Sequence, residues 1–160
     1  FAVSNRFDDK STIYVKRMLQ HVLPKSIRQS IIEELFYEFV GVNTLEFARS
    51  LYLSEKKITT MNNAGMFFGS HGTSHDWLNR MEKEAQKEDI KNSLDFLIDL
   101  GCSVQDWVMC YPYGAYNNET VQILEDLGCF VALTTSPGKA HFNKNNRFTL
   151  PRFDTNDFPQ

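Results

Sequence analysis

The sequence predicts an α/β fold in which helices alternate with short strands of a parallel sheet. The main observation is a unit that recurs from residue 54 onward: a helical stretch, a terminating glycine, a short apolar run and then polar residues. The unit repeats at Ser54–Phe68, at Glu82–Cys110 and at Asn117–Leu133, with Gly65, Gly101 and Gly128 as its punctuation. A further apolar run, Phe148–Phe153, supplies one more strand candidate. Whether such a sheet stays open or closes into a barrel, ligands bind at the carboxyl ends of its strands, which is where the polar segments of this chain fall.

The residues before this repeat read as helices. Ile13, Met18 and Val22 form one apolar stripe that stops ahead of Pro24, because a proline disfavours helix at the residue before it. In Ser26–Val40 the apolar positions Ile27, Ile31, Leu35, Phe36 and Phe39 recur at spacings of three and four, and Gly41 stands where a helix commonly ends. Asn43 with Glu46 resembles a capping box for a third helix, and Ser54 starts a fourth. The aromatic group Phe36, Tyr37 and Phe39 reads as core or as a packing face. In the repeat itself, Met66–Phe68, Trp107–Cys110 and Cys129–Leu133 are the expected strands. The helix Glu82–Leu100 turns Ile90, Leu94 and Leu97 inward, and Asn117 or Asn118 caps the helix that carries Val121, Leu124 and Leu127.

Composition narrows the function. The 160 residues suit one domain with a substantial core, and 42% hydrophobic with 23% charged residues is the balance of a globular chain. No apolar run is long enough to cross a bilayer. A net charge of -3 gives no basic field for phosphates, so nucleic acid is not an expected partner. Cys102, Cys110 and Cys129 are odd in number and contain no Cys-x-x-Cys, which argues against both a disulfide framework and a thiolate zinc site and for buried free thiols. Phe1-Ala-Val-Ser reads as the end of a strand entering a loop, so a preceding segment is expected.

The chemistry concentrates in Gly65-Met66-Phe67-Phe68-Gly69-Ser70-His71-Gly72-Thr73-Ser74-His75-Asp76-Trp77-Leu78. His71 and His75 are four apart after a strand. If the segment turns helically, both imidazoles share a face and converge on one cation. Gly72 leaves no glutamate beside the first histidine, so a general base and a third ligand must come from elsewhere. His21 and His141 read as surface residues. Tyr111-Pro112-Tyr113-Gly114 is either a tight turn or a turn that aims the Tyr113 amide at a developing oxyanion. Arg152 is either a surface charge or the partner of a buried carboxylate.

With these segments side by side, the chain resembles the polysaccharide deacetylase (NodB-homology) family, which removes N- or O-acetyl groups from sugars. The resemblance covers roughly residues 50–160. It lies in the two-histidine stretch, similar to the family's His-[Ser/Thr]-x-x-His motif, in Tyr111-Pro112-Tyr113-Gly114, similar to Arg-Pro-Pro-Tyr-Gly, and in Leu150-Pro151-Arg152-Phe153, similar to a late arginine segment. It implies a distorted (β/α) barrel, incomplete at its N-terminus, with residues 12–53 as a helical insertion and 54–160 as the core of a single domain. It implies a divalent metal, usually zinc, on His71 and His75. The Tyr113 amide would stabilise the oxyanion, Arg152 would position the base, and Tyr111, Pro112 and Trp77 would contact the sugar. The substrate would be an acetylated sugar or polysaccharide, cut at its acetyl amide or ester bond. The helical insertion could also mediate homo-oligomerisation.

The departures from the family pattern are specific. Gly72 stands for the usual Ser or Thr, and Cys110 or Tyr111 stands for Arg. The family's Thr-Phe-Asp-Asp-Gly motif, source of the base and third ligand, is expected upstream of Phe1. Phe7-Asp8-Asp9-Lys10 imitates it, but no glycine follows and no apolar strand precedes. The late Leu-His segment that supplies the general acid is not recognised, and His141 is a poor substitute. A catalytically inactive glycan-binding module on the same fold is the alternative. The compartment stays open, with the cytoplasm ahead of the periplasm or exterior.

Overall fold

The computed structural model describes residues 2–5, 7–144 and 146–158. The chain divides into two compact units, Phe1–Leu53 and Ser54–Gln160.

The first unit is helical. Helix α1 (Lys10–Arg17) starts at Asp9, whose carboxylate accepts the Thr12 N–H at 2.7 Å and the Ser11 hydroxyl at 2.9 Å. The Thr12 amide holds this carboxyl below its ordinary range. Asp8 pairs with Lys16 at 2.7 Å. Both carboxylates of the Asp8-Asp9 imitation are thus engaged by their own helix. A π-helical turn (Met18–Val22) extends α1, and Leu23 leaves it in extended conformation before Pro24. Helix α2 (Lys25–Phe39) runs to a Gly41 N–H bond on the Phe36 carbonyl at 3.2 Å. Asn43 caps α3 (Thr44–Leu51) by accepting the Leu45 and Glu46 amides. Phe36 meets Phe47 edge to face at 5.3 Å, which ties α2 to α3. Tyr37 and Phe39 do not join them: they are 83% and 75% exposed, so neither is core. Of the expected strand end Phe1–Ser4, Phe1 lies outside the described residues, and Ala2–Ser4 forms no strand.

The second unit carries the sheet. Helix α4 (Glu55–Asn63) is capped by Ser54. Strands β1 (Val108–Cys110) and β2 (Val131–Leu133) pair in parallel, with Val108 opposite Val131 and Cys110 opposite Leu133. Two single bridges widen the sheet, Ser70 on Met109 and Leu150 on Leu133, both parallel. The order is therefore the Ser70 segment, β1, β2 and the Leu150 segment. The described residues close no barrel; they form a parallel sheet with helices α5 (Lys83–Asp99) and α6 (Asn118–Asp126) packed against it. The α5 stripe Ile90 and Leu94 and the α6 pair Ile123 and Leu124 meet Trp107, Met109, Tyr111 and Ala132 in one buried cluster. Alternation along the strands leaves Val108, Cys110, Val131 and Leu133 half-buried on the opposite side. Asn117 and Thr120 close a reciprocal capping box on α6.

Of the other two expected strands, Met66–Phe68 forms none and Phe148–Phe153 keeps a single bridge. In the Ser70–Met109 register, Met66–Phe68 would face Gln105–Trp107, where the chain turns with Asp106 at φ 54°, so no ladder forms before Ser70. In Phe148–Phe153 only Leu150 bridges, because the next amide on that side, Arg152 N–H, bonds to the Ser136 carbonyl at 3.0 Å and not to that of Thr134.

Cys102 and Cys129 are buried, as expected, but Cys110 is only half-buried. Burial pushes the Cys129 thiol up to about 12. Since the thiolate is the reactive form, a maleimide or iodoacetamide at mildly alkaline pH is expected to label native protein at Cys110 alone and unfolded protein at all three cysteines. Mass mapping of the labelled peptides checks this, and stoichiometric native labelling at Cys129 would contradict the packing of α6 on the sheet.

Candidate metal and oxyanion site

Four chain segments leave the sheet at the carboxyl ends of their paired residues, delivering His71, the turn Tyr111–Gly114, Thr134 and Arg152 to one edge. His71 follows Ser70 directly. Its Nδ1 lies 2.6 Å from the Cys110 carbonyl oxygen, which can only accept, so Nδ1 carries a proton and the neutral form of the ring has its lone pair on Nε2. The His75 ring stands 4.9 Å from the His71 ring, centroid to centroid, inclined at 60°. Burial, and next the charge of His71, lower the pKa of His75 against the opposing effect of Asp76, which favours the neutral imidazole that a metal requires.

The route to this pairing differs from the expected one. Residues 71–77 contain no helix. The rings meet because the loop reverses through left-handed backbone at Gly72 (φ 72°) and at His75 (φ 54°). Such a φ costs a non-glycine residue roughly 1 kcal/mol, so His75 is held by its surroundings.

Tyr113 is strained in the same sense, with φ 57° and ψ 10° inside a short 3₁₀ turn (Pro112–Gly114). The turn closes through Gly114 N–H to Tyr111 O and Ala115 N–H to Pro112 O, both at 2.9 Å, and neither bond uses the Tyr113 N–H. Gly114 is also left-handed, and a Cβ there would collide with the Thr135 hydroxyl. The Tyr113 ring stacks on Trp77 at 5.2 Å and touches the His75 ring at 4.8 Å, so Trp77, Tyr113 and His75 form one aromatic wall. Arg152 crosses the edge. Its Nε donates to the Thr134 carbonyl at 3.0 Å, and one terminal nitrogen lies 3.7 Å from Cys110 Sγ. No carboxylate of the described residues forms an ion pair with it. A hollow of about 520 Å³ opens beside these groups, with Phe67, His71, Cys110, Leu133 and Arg152 on its walls.

The family model for polysaccharide deacetylase matches residues 6–132. The chain belongs to the polysaccharide deacetylase family. Among curated proteins it is similar to YxkH of Bacillus subtilis (strain 168), a protein named for the same family, at 32% identity over 89 residues. That match covers 56% of this chain and 32% of YxkH. Among solved structures it is similar to the deacetylase PplD of Streptococcus pyogenes, in complex with acetate, with TM-score 0.59 and 29% identity over 67% of this chain and 46% of that one. It is also similar to BA0330 of Bacillus anthracis, named for the same family, with TM-score 0.53 and 25% identity over 62% of this chain and 31% of that one. The chain thus spans about a third of the length of YxkH and under half of PplD.

Of the residues singled out in the sequence, His71, His75, Tyr113, Trp77 and Arg152 come to the same edge. Tyr111 and Pro112 do not reach a position where a sugar could touch them. Tyr111 is 1% exposed, stacks on Tyr116 at 4.6 Å and donates its hydroxyl to the Phe148 carbonyl at 2.9 Å; Pro112 is buried with it. The alternation Trp107, Met109, Tyr111 continues the helix-facing side of β1, which is why Tyr111 points into the core. His141 lies in an exposed loop, where its carbonyl accepts from Asn146. Among the described residues, no group of three His, Cys, Asp or Glu side chains is arranged to hold a metal. Sequence reasoning missed Ser70, Asp89 and Ser93, buried polar residues that fix the histidine loop. Their signal is visible in retrospect: Asp89 and Ser93 interrupt the inward stripe of α5 beside Ile90 and Leu94.

The buried position of Tyr111 separates stability from binding. Tyr111→Phe removes one buried hydrogen bond and is expected to lower unfolding free energy by about 1 kcal/mol in a denaturant titration, while leaving zinc binding unchanged. A variant as stable as wild type but impaired in binding would return Tyr111 to the site.

Proposed function

We propose that this chain forms the two-histidine and oxyanion side of a metal-dependent hydrolase that releases acetate from an N- or O-acetylated sugar or polysaccharide. The observation that carries the reading is the His71–Cys110 hydrogen bond beside the His75 ring. It fixes one tautomer and directs a lone-pair nitrogen to the same edge as a second imidazole held neutral. This donor chemistry fits a divalent cation, and zinc best, since neutral imidazole is among its preferred ligands. His71 and His75 would hold the ion, and a carboxylate outside the described residues would complete its coordination. When bound, such an ion supplies Lewis acidity to the acetyl carbonyl and acidifies a water molecule.

The chain's own groups do the rest. The Tyr113 N–H, left out of the turn's hydrogen bonds, donates to the acetyl oxygen as that oxygen gains charge, and the left-handed backbone at Tyr113 orients it before substrate arrives. The Trp77 and Tyr113 rings offer an apolar wall for the acetyl methyl and the sugar face. Arg152, steadied by the Thr134 carbonyl, orients the carboxylate base. The similarity to PplD, a deacetylase solved with acetate, supports the acetyl group as the leaving moiety. The parallel segments are proposed to be part of the distorted (β/α) barrel.

The alternative is a glycan-binding module without chemistry, which needs no carboxylate to complete a metal cluster with the histidines. Assay separates the two. The full-length protein is expected to release acetate from acetylated glycans, and His71→Ala and His75→Ala are each expected to abolish that release together with zinc uptake. Glycan binding without acetate release, equal in wild type and both variants, would establish the binding module instead.

A further inference from the structure

The histidine loop is fastened to one face of α5. Asp89 and Ser93 lie one helical turn apart on that face, and both are buried. Asp89 Oδ1 accepts the Ser74 N–H at 2.7 Å and Oδ2 accepts the Thr73 N–H at 3.1 Å, while the Asp89 backbone carbonyl accepts the Thr73 hydroxyl at 3.0 Å. Ser93 Oγ lies 2.5 Å from Ser70 Oγ, which in turn accepts the Gly72 N–H at 3.3 Å. Residues 70, 72, 73 and 74 are therefore tied to α5 directly or through Ser70, and the two residues that bracket residues 72–74 are His71 and His75.

Gly72 completes the arrangement. Its φ is 72°, and a Cβ built on it would lie 2.5 Å from Asp89 Oδ2. The carboxylate therefore reaches the Thr73 and Ser74 amides through space that any side chain at residue 72 would fill. A buried carboxylate is costly unless hydrogen-bonded, and this one receives its bonds from the span that separates the two imidazoles.

We propose that Asp89 is a positioning residue for the cation site: by gathering the amides of residues 73 and 74 against α5 it sets the separation of the His71 and His75 rings, and with it the affinity for a divalent cation. This rests on the reading of the two histidines as metal ligands. Asp89→Asn tests it with little change of volume. The amide accepts only through its oxygen and turns an NH₂ donor toward one of the two loop amides, so one bond is lost and two donors face each other.

The experiment is calorimetric titration with zinc, paired with hydrogen exchange of the metal-free protein. Asp89→Asn is expected to weaken zinc binding by about 10–100-fold, the usual effect of losing a group that orients metal ligands. It is also expected to accelerate exchange of the Thr73 and Ser74 amides while those of α6 keep their wild-type protection. Should Asp89→Asn fail to fold, Ser93→Ala releases only the Ser70 end of the loop and is expected to weaken zinc binding to a smaller degree. Unchanged zinc affinity in the folded variant, with a fall in melting temperature alone, would reduce Asp89 to a structural cap and overturn the proposal. Full-length wild-type protein that takes up no zinc would overturn the metal reading itself.

Discussion

The site depends on the parallel pairing of Ser70 with β1. Ser70 donates to the Val108 carbonyl and accepts from the Cys110 amide, and that register brings His71 beside the Cys110 carbonyl. Side chains in a strand alternate between faces, so a slip of one residue would bury His71 against α5 and turn Ser70 to the hollow. Neither residue suits the other's place: Ser70 is short enough to meet Ser93 inside the fold, and an imidazole is not. One pair of backbone hydrogen bonds therefore sets the tautomer of the first histidine and the start of the loop that carries the second.

Around this pairing the chain spends conformational strain where the chemistry is. Three described non-glycine residues have positive φ, and two of them, His75 and Tyr113, lie in ring contact with each other. The strain is supported on both sides. Asp89 holds the loop before His75, and the buried Tyr111, anchored to Phe148, holds the turn before Tyr113. The core on the α5 and α6 side of the sheet thus acts as the rigid back of a site that opens on the other side.

Much of the fold was legible because it is written in local signals. Asn43, Ser54 and Asn117 cap helices through side-chain bonds to nearby amides, which depend on neighbours in sequence alone. The parallel sheet was legible from the repeat of helix, glycine and apolar run. Strand lengths were not, since Met66–Phe68 lacks a partner only because residues 105–107 turn away, a fact about another part of the chain. In the site, the pair His71 and His75 was legible as a pair, but the means of its convergence was not: two left-handed residues, in place of a helical turn, bring the rings together. Tyr111 and Pro112 were misread because a motif shows neighbours and not the direction of each side chain. Asp89 was missed for the complementary reason, as its partners lie 15 and 16 positions away in sequence.

The central claim is that His71 and His75 act together as ligands of one cation. X-ray absorption at the zinc edge, on zinc-loaded protein and on His75→Ala, tests it most directly. The account predicts two imidazole nitrogens at about 2.0–2.1 Å in the wild type, with imidazole scattering reduced to one ring in the variant. A zinc shell made of oxygen alone, or one that the loss of His75 leaves unchanged, would contradict it.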